Sequence, residues 1–343
     1  MIPASPLFSQ IPLPRTAERN SRWQQHWRDA ITDPVELLRL LGLESQAGVL
    51  LAGADTGFAV RVPRGFAARM RPGDPADPLL LQVLPGADEL LTTPGYSIDA
   101  VGDMAARTVA GVLHKYEGRA LLIATGSCAI NCRYCFRRHF PYAEETAATA
   151  HWRAAIDHLA SDASISEVIL SGGDPLSLAT AKLAELTDAL ATIPHVRRLR
   201  IHTRLPVVLP QRIDAELINW MDGLPLQKIV VLHANHANEI DPAVAEACRK
   251  LARSGVTLLN QSVLLRRIND NVDALASLGE TLFACGVLPY YLHQLDRVQG
   301  TAHFEVADQA ALDLIDALRA RLPGYLIPRL VRETAGAASK LPV

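Results

Sequence analysis

The stretch Arg119-Ala120-Leu121-Leu122-Ile123-Ala124-Thr125-Gly126-Ser127-Cys128-Ala129-Ile130-Asn131-Cys132-Arg133-Tyr134-Cys135 decides how the rest of the chain is read. Its first half is a short apolar run, the pattern of a strand buried on both faces. Its second half places three cysteines at C-x3-C-x2-C spacing directly after that strand. Three thiolates on one tight loop can hold three irons of a four-iron cluster. The fourth iron is then open to a small molecule, whereas most such clusters are closed by four cysteines. An open iron points to chemistry rather than to simple electron transfer. The alternative is a zinc site made of the three cysteines and His139, C-x3-C-x2-C-x3-H. Structural zinc sites more often pair two C-x2-C knuckles, and the sequence has no second knuckle. A chain of 343 residues also needs no metal to staple its core.

Outward from this stretch the pattern is regular. Apolar runs at 120–125, 167–171, 198–202, 228–232, 257–262 and 288–293 alternate with helix-period segments at about 149–161, 178–192, 211–222, 241–254, 271–284 and 305–321. Six βα units with continuous apolar strands predict an α/β fold, a parallel sheet covered by helices, and their number predicts a partial, open (β/α)6 barrel. Active sites in such sheets form beyond the carboxyl ends of the strands. Strand one runs into the cysteine loop. The next five end in or carry Ser171-Gly172-Gly173-Asp174, His202-Thr203-Arg204, His233-Ala234-Asn235-His236, Asn260-Gln261-Ser262 and His293-Gln294-Leu295-Asp296. Any one of these groups could be a helix cap or a solvated loop residue. Six together mark the rim of a site.

Residues 1–115 read as a mainly helical N-terminal extension, 116–325 as the barrel and 326–343 as a C-terminal tail. Thr32-Asp33-Pro34 starts a short helix through Leu41, with Gly42 just past its end. Trp23 and Trp27, four residues apart, form a packing stripe. Residues 71–95 are dense in Pro, Gly and Asp and read as loop. A net charge of -2 gives no footprint for nucleic acid or an anionic membrane. Met1-Ile2-Pro3-Ala4-Ser5-Pro6 lacks the pattern of a signal peptide, and no stretch approaches the roughly 20 apolar residues of a membrane span. Five cysteines with one tight cluster fit a reducing cytoplasm, with Cys248 and Cys285 as buried free thiols.

Two further motifs bear on chemistry. The paired glycines of Gly172-Gly173-Asp174 allow close approach of a ligand to the backbone. Lys340 follows the small-residue run Gly336-Ala337-Ala338-Ser339, which could carry an amine into a pocket. A lysine near a terminus is usually just solvated, but its amine can also form a Schiff base with pyridoxal phosphate (PLP).

The C-x3-C-x2-C loop followed by Gly172-Gly173-Asp174 resembles the radical S-adenosylmethionine (SAM) superfamily. His114-Lys115-Tyr116-Glu117-Gly118-Arg119, Cys135-Phe136-Arg137-Arg138-His139-Phe140, Arg204-Leu205-Pro206-Val207-Val208-Leu209-Pro210, Asn260-Gln261-Ser262-Val263-Leu264-Leu265 and Tyr290-Tyr291-Leu292-His293-Gln294-Leu295-Asp296 together resemble lysine 2,3-aminomutase over roughly residues 90–343. The resemblance implies three cofactors: a [4Fe–4S] cluster on Cys128, Cys132 and Cys135, SAM, and PLP. Gly172, Gly173 and Asp174 match the segment that binds the methionine amino group of SAM, and His233 and Gln261 match further cofactor contacts. Lys340 matches the lysine that holds PLP, and Arg204 a residue that holds its phosphate. Lys115, Tyr116 and Arg119 match other PLP contacts, Lys115 standing where the family often has Arg. Arg137 matches the arginine that binds the substrate carboxylate. Asp296 and Glu333 match two acids that bind the distal ammonium of lysine, Glu333 standing where the family has Asp. Two acids in a closed site select a cation.

The sequence stops three residues after Lys340 and has no cysteine after Cys285, so no intersubunit zinc is expected. The short tail and Arg332-Glu333-Thr334 most resemble the branch that supplies (R)-β-lysine for modification of elongation factor P. The implied partners are L-lysine, a flavodoxin-like or ferredoxin-like one-electron donor, and a functional link to a β-lysine ligase and elongation factor P. The alternatives are an aminomutase for lysine catabolism or another cationic amino acid and, in a different class, a zinc-stapled binding protein without catalysis.

Overall fold

The structure is a computed structural model, and it describes residues 22–343 apart from 54, 56 and 146–148. The N-terminal residues read above for a signal peptide lie outside the described residues. Ten strands form one sheet in chain order: β1 (Arg107–Val109), β2 (Val112–Tyr116), β3 (Arg119–Thr125), β4 (Glu167–Gly172), β5 (Arg198–Thr203), β6 (Gln227–His233), β7 (Thr257–Val263), β8 (Leu288–His293), β9 (Arg329–Arg332) and β10 (Leu341–Pro342). β3 to β9 run parallel, while β1–β2–β3 and β9–β10 are antiparallel. β1 and β10 end the strand order, so the sheet is an open, partial barrel.

The six expected strands are β3 to β8. Six helices make the crossovers: Thr149–Ser161, Thr180–Ala191, Ala215–Gly223, Pro242–Arg253, Val272–Ala284 and Asp308–Arg321. Their starts follow their caps. Asp241 and Asn271 accept hydrogen bonds from Val244 N and Ala274 N, each at 2.8 Å. The helix expected from 211 begins four residues later, because Pro210–Arg212 forms a 3-10 turn and Asp214 supplies the cap, accepting from Leu217 N.

The sheet is wider than the six apolar runs foretold. A seventh parallel strand, β9, lies in the segment read as tail. β2 straddles the boundary drawn at 115/116, so part of the N-terminal segment is the sheet's edge hairpin. The remaining extension is not a separate body. Its Ile31, Leu37, Leu38, Phe66, Leu79 and Leu80 belong to the same apolar core as the barrel helices. The helix Pro34–Leu40 is capped by Asp33 as expected, and Trp23 and Trp27 pack edge to face at 6.2 Å. Trp23 also lies under the Arg212 guanidinium of the barrel, at 4.7 Å.

The tail is a hairpin, not a free arm. Leu341 pairs with Arg332 and Pro342 with Val331. Gly336 turns the chain at φ +78°, a conformation that favours glycine. Continuing the register by one residue places Lys340 opposite Glu333, so their seven-residue spacing is that of a cross-strand pair.

Candidate active site

The carboxyl ends of the strands surround a cavity of about 260 Å³. All sixteen residues singled out from the sequence line it: Cys128, Cys132, Cys135, Gly172, Gly173, Asp174, His233, Gln261, Arg204, Lys115, Tyr116, Arg119, Arg137, Asp296, Glu333 and Lys340. They divide into two ends.

At the first end the three thiols share a loop closed by Cys135 N donating to Cys132 O at 3.0 Å. Burial pushes Cys135 up to about 11, with Cys132 adding to it, and raises Cys128 as well. The Cys128 and Cys135 thiolates therefore need a metal to form at neutral pH. The loop packs directly on the end of β4, and this explains the paired glycines. A Cβ on Gly172 would meet Thr125 O at 2.3 Å, and one on Gly173 would meet Ser127 O at 2.5 Å. The space at Gly172 is taken by the end of β3, and that at Gly173 by the start of the cysteine loop. Asp174 is likewise engaged. It accepts from Thr203 Oγ1 and Arg204 N at 2.7 Å, Leu205 N at 3.0 Å and Leu176 N at 3.1 Å, clamping the β4 and β5 ends together.

Arg204 lies beside the thiols. Its guanidinium is buried at the thiol end, donating to Cys132 Sγ and Gln82 Oε1, both at 2.6 Å, and to Glu239 Oε2 at 2.9 Å. Glu239 is fully buried and depressed despite that burial, chiefly by Arg204. Its partners here are Cys132 and Glu239, whereas Lys340 is partnered by Glu333. The basic groups at the Lys340 end of the wall are Lys115, Arg119, stacked on Tyr116 at 4.7 Å, and Arg200.

At the second end charges alternate in a chain. Arg137 Nε donates to Asp103 Oδ2 at 2.6 Å and its Nη1 to Ser171 Oγ at 3.1 Å. Asp103 also holds Lys115 at 2.6 Å, and Lys115 reaches Glu333 Oε1 at 2.9 Å. The other Glu333 oxygen takes the Lys340 ammonium. Burial pushes Glu333 up, but Lys340 and Lys115 outweigh it and hold the group down to about 2. Beside it, burial and then the Glu333 charge raise Asp296 to about 7. Its buried Oδ1 has no hydrogen-bond partner among the described residues. Two adjacent acids thus titrate far apart, the pattern of a site built to receive a charge.

Between the two ends stand neutral imidazoles. Burial and then Arg204 lower His233 to about 3; burial and then Arg200 put His202 well below its ordinary value. The buried Nε2 atoms of both are unpartnered among the described residues. Such atoms on a cavity wall fit polar ligands, and the thiol set fits a soft-metal cluster. The Cys3His zinc alternative fares worse. His139 is exposed and its Nε2 lies 3.2 Å from Gln299 O, and no three His, Cys, Asp or Glu of the described residues are grouped to hold a single ion.

Asp103, Gln82 and Glu239 carried no motif signal, since each acts across a long sequence separation. Arg200 and His202 had one: they alternate on β5, whose even-numbered residues are half-buried on the cavity side.

Residues 117–197 match the family model of a 4Fe-4S single cluster domain. The chain is 50% identical over 323 residues to the L-lysine 2,3-aminomutase of Escherichia coli, covering 94% of each. It is 46% identical over 323 residues to the L-lysine 2,3-aminomutase of Haemophilus influenzae, covering 93% of this chain and 96% of that one. It is 34% identical to the L-lysine 2,3-aminomutase of Clostridium subterminale, covering 94% and 77%. Together with the open barrel and its three-thiol loop, these place the protein among the iron–sulfur radical SAM enzymes. The chain belongs to the L-lysine 2,3-aminomutase family, and it is an isomerase. Membership implies a [4Fe–4S] cluster, SAM and PLP as its cofactors.

Proposed function

We propose that the protein converts L-lysine to (R)-β-lysine in a PLP-dependent radical rearrangement, and that the product serves modification of elongation factor P in the cytoplasm. The observation that carries this reading is the single cavity with three thiols at one end and the Arg137–Asp103–Lys115–Glu333–Lys340 charge chain at the other.

Cys128, Cys132 and Cys135 would ligate the cluster, with the open iron and SAM on the cavity side. His233 and Gln261 line the wall beyond the thiols, where SAM would lie. When bound, the cluster and SAM supply a carbon radical able to take a hydrogen, and PLP on Lys340 supplies delocalisation for the migrating nitrogen. The chain's own residues do the rest. Arg137 offers a forked guanidinium to an α-carboxylate, with Asp103 and Ser171 fixing its orientation. Glu333 and Asp296 receive a distal ammonium. Arg119, Arg200 and Tyr116 form the basic, aromatic wall on which a phosphate can rest. Apolar and aromatic lining from Phe136, Tyr290 and Tyr291 keeps water from the reacting carbons. A one-electron donor must reach the cluster from outside.

The test is an anaerobic assay of cluster-reconstituted protein with SAM, PLP, dithionite and L-lysine, read by mass spectrometry and chiral analysis. (R)-β-Lysine from wild type is the expected result. 5′-Deoxyadenosine without β-lysine would retain the radical chemistry and reject the substrate.

A further inference from the structure

Lys115 is matched by resemblance to a PLP contact, yet the structure gives its ammonium a different occupation. Its Nζ donates to Val101 O at 2.8 Å and Glu333 Oε1 at 2.9 Å, and lies 2.6 Å from Asp103 Oδ1. Of the three donors of an ammonium, two are hydrogen-bonded here, and the Asp103 carboxylate lies against it as an ion pair. Two of these neighbours are carboxylates with little exposure, Asp103 at 2% and Glu333 at 16% of the side chain. A phosphate would have to displace one of these and bring negative charge beside the other.

Glu333 is divided between two cations. Lys115 holds Oε1 and Lys340 holds Oε2. Were Lys340 drawn to an aldehyde cofactor, it would give up its ammonium contact with Oε2, and that oxygen would be open to another ammonium while Oε1 stays with Lys115. Lys115 is itself fixed through Asp103, which also orients Arg137. One buried carboxylate from the N-terminal segment thus ties the cation that meets an α-carboxylate to the cation that aims Glu333.

We propose that Lys115 is a positioning residue for Glu333, which sets where the cavity holds the second ammonium of a diamino acid, and is not a ligand of the cofactor phosphate. This rests on the lysine reading above. By the resemblance given above, Lys115 stands where the family often has Arg and Glu333 where it has Asp, and the two side chains touch. A less extended cation and a longer acid preserve the span, so the two residues form a matched pair.

The experiment compares wild type, Lys115→Met, Lys115→Arg, Glu333→Asp and Lys115→Arg/Glu333→Asp, all as cluster-loaded protein. The readouts are KM and kcat for L-lysine and, separately, PLP affinity by its visible absorbance. Lys115→Met should raise KM about tenfold or more, with kcat changed less and PLP affinity within about twofold of wild type. Glu333→Asp alone should raise KM, and adding Lys115→Arg should bring it back toward the wild-type value, a non-additivity expected only of a contacting pair. Weakened PLP affinity with unchanged KM in Lys115→Met would overturn the proposal and restore the phosphate role. Additive effects in the double variant would overturn it as well, even if Lys115→Met failed to fold. Wild type that binds PLP but yields no β-lysine would instead overturn the substrate reading, and this inference with it.

Discussion

The two ends of the cavity are built in opposite ways. The thiol end is local: one loop, 126–136, follows one buried strand and brings all three cysteines with it, and Gly173, just past β4, lets that loop pack. The amine end is assembled from remote pieces. Asp103 precedes the sheet, Lys115 lies on the edge hairpin, Arg137 follows the cysteines, Asp296 follows β8, and Glu333 and Lys340 sit across the terminal hairpin. The thiol end is backed by a buried polar network of Arg204, Glu239, Gln82, Asn235 and Tyr134. The amine end keeps raised and depressed acids side by side. A local motif can be made stable by its own neighbourhood. A composite one depends on every segment arriving, and it retains the electrostatic tension that ligand binding relieves.

If the ends are separable, disabling each should leave a different residue of activity. Cys132→Ala should have the largest effect: loss of stoichiometric iron and sulfide, and no detectable 5′-deoxyadenosine or β-lysine. Turnover surviving in this variant would break the assignment of the thiol end. Lys340→Ala should abolish β-lysine and the visible band of bound PLP, yet keep the cluster's electron paramagnetic resonance signal and slow cleavage of SAM. Loss of the cluster signal in Lys340→Ala would show that the ends are not independent.

The thiol loop's anchoring gives a test of stability. Glu89, from the turn Ala87–Leu90, takes Arg133 Nε and Arg138 Nη2, each at 2.7 Å, and all three side chains are essentially buried. Removing one charge of a buried set leaves the others uncompensated and costs about 3–5 kcal/mol. Glu89→Gln should therefore lower the thermal midpoint by several degrees and reduce cluster occupancy, while PLP binding in the folded fraction is unchanged.

The smallest effect is in pH. Asp296 titrates at about 7, so it is neutral below and ionised above. An ammonium binds better to the ionised form. In the free enzyme kcat/KM for L-lysine should thus rise with pH, about tenfold per unit below that value and then level off. Asp296→Asn should remove this limb, whereas the thiol-end step, SAM cleavage without lysine, should not share it. Glu333, held down to about 2, adds no limb in this range.

Most of the barrel was legible. Six strand-length runs and six helix-period segments translate directly into β3–β8 and their crossovers, because strands covered on both faces are rich in apolar residues, although β5 and β7 alternate in burial. β9 and β10 were not legible. Arg329–Arg332 is four residues with a charge at each end, and Leu341–Pro342 is two. Such strands are defined by what they pair with, not by their own pattern. Arg204 shows the same limit at the level of one side chain: its type, a buried forked donor, was readable, but its partner, the Cys132 sulfur, was not.

By itself, then, the sequence determined the elements and the cluster loop, since both are written in contiguous residues: hydrophobic period for the sheet and cysteine spacing for the thiols. Only the tertiary structure decided which charges meet. Asp103 reaches Arg137 across 34 positions and Lys115 reaches Glu333 across 218. No local pattern encodes such pairs. They exist because the open barrel brings its first edge and its last hairpin to the same cavity, where a buried charge persists only beside its counter-charge.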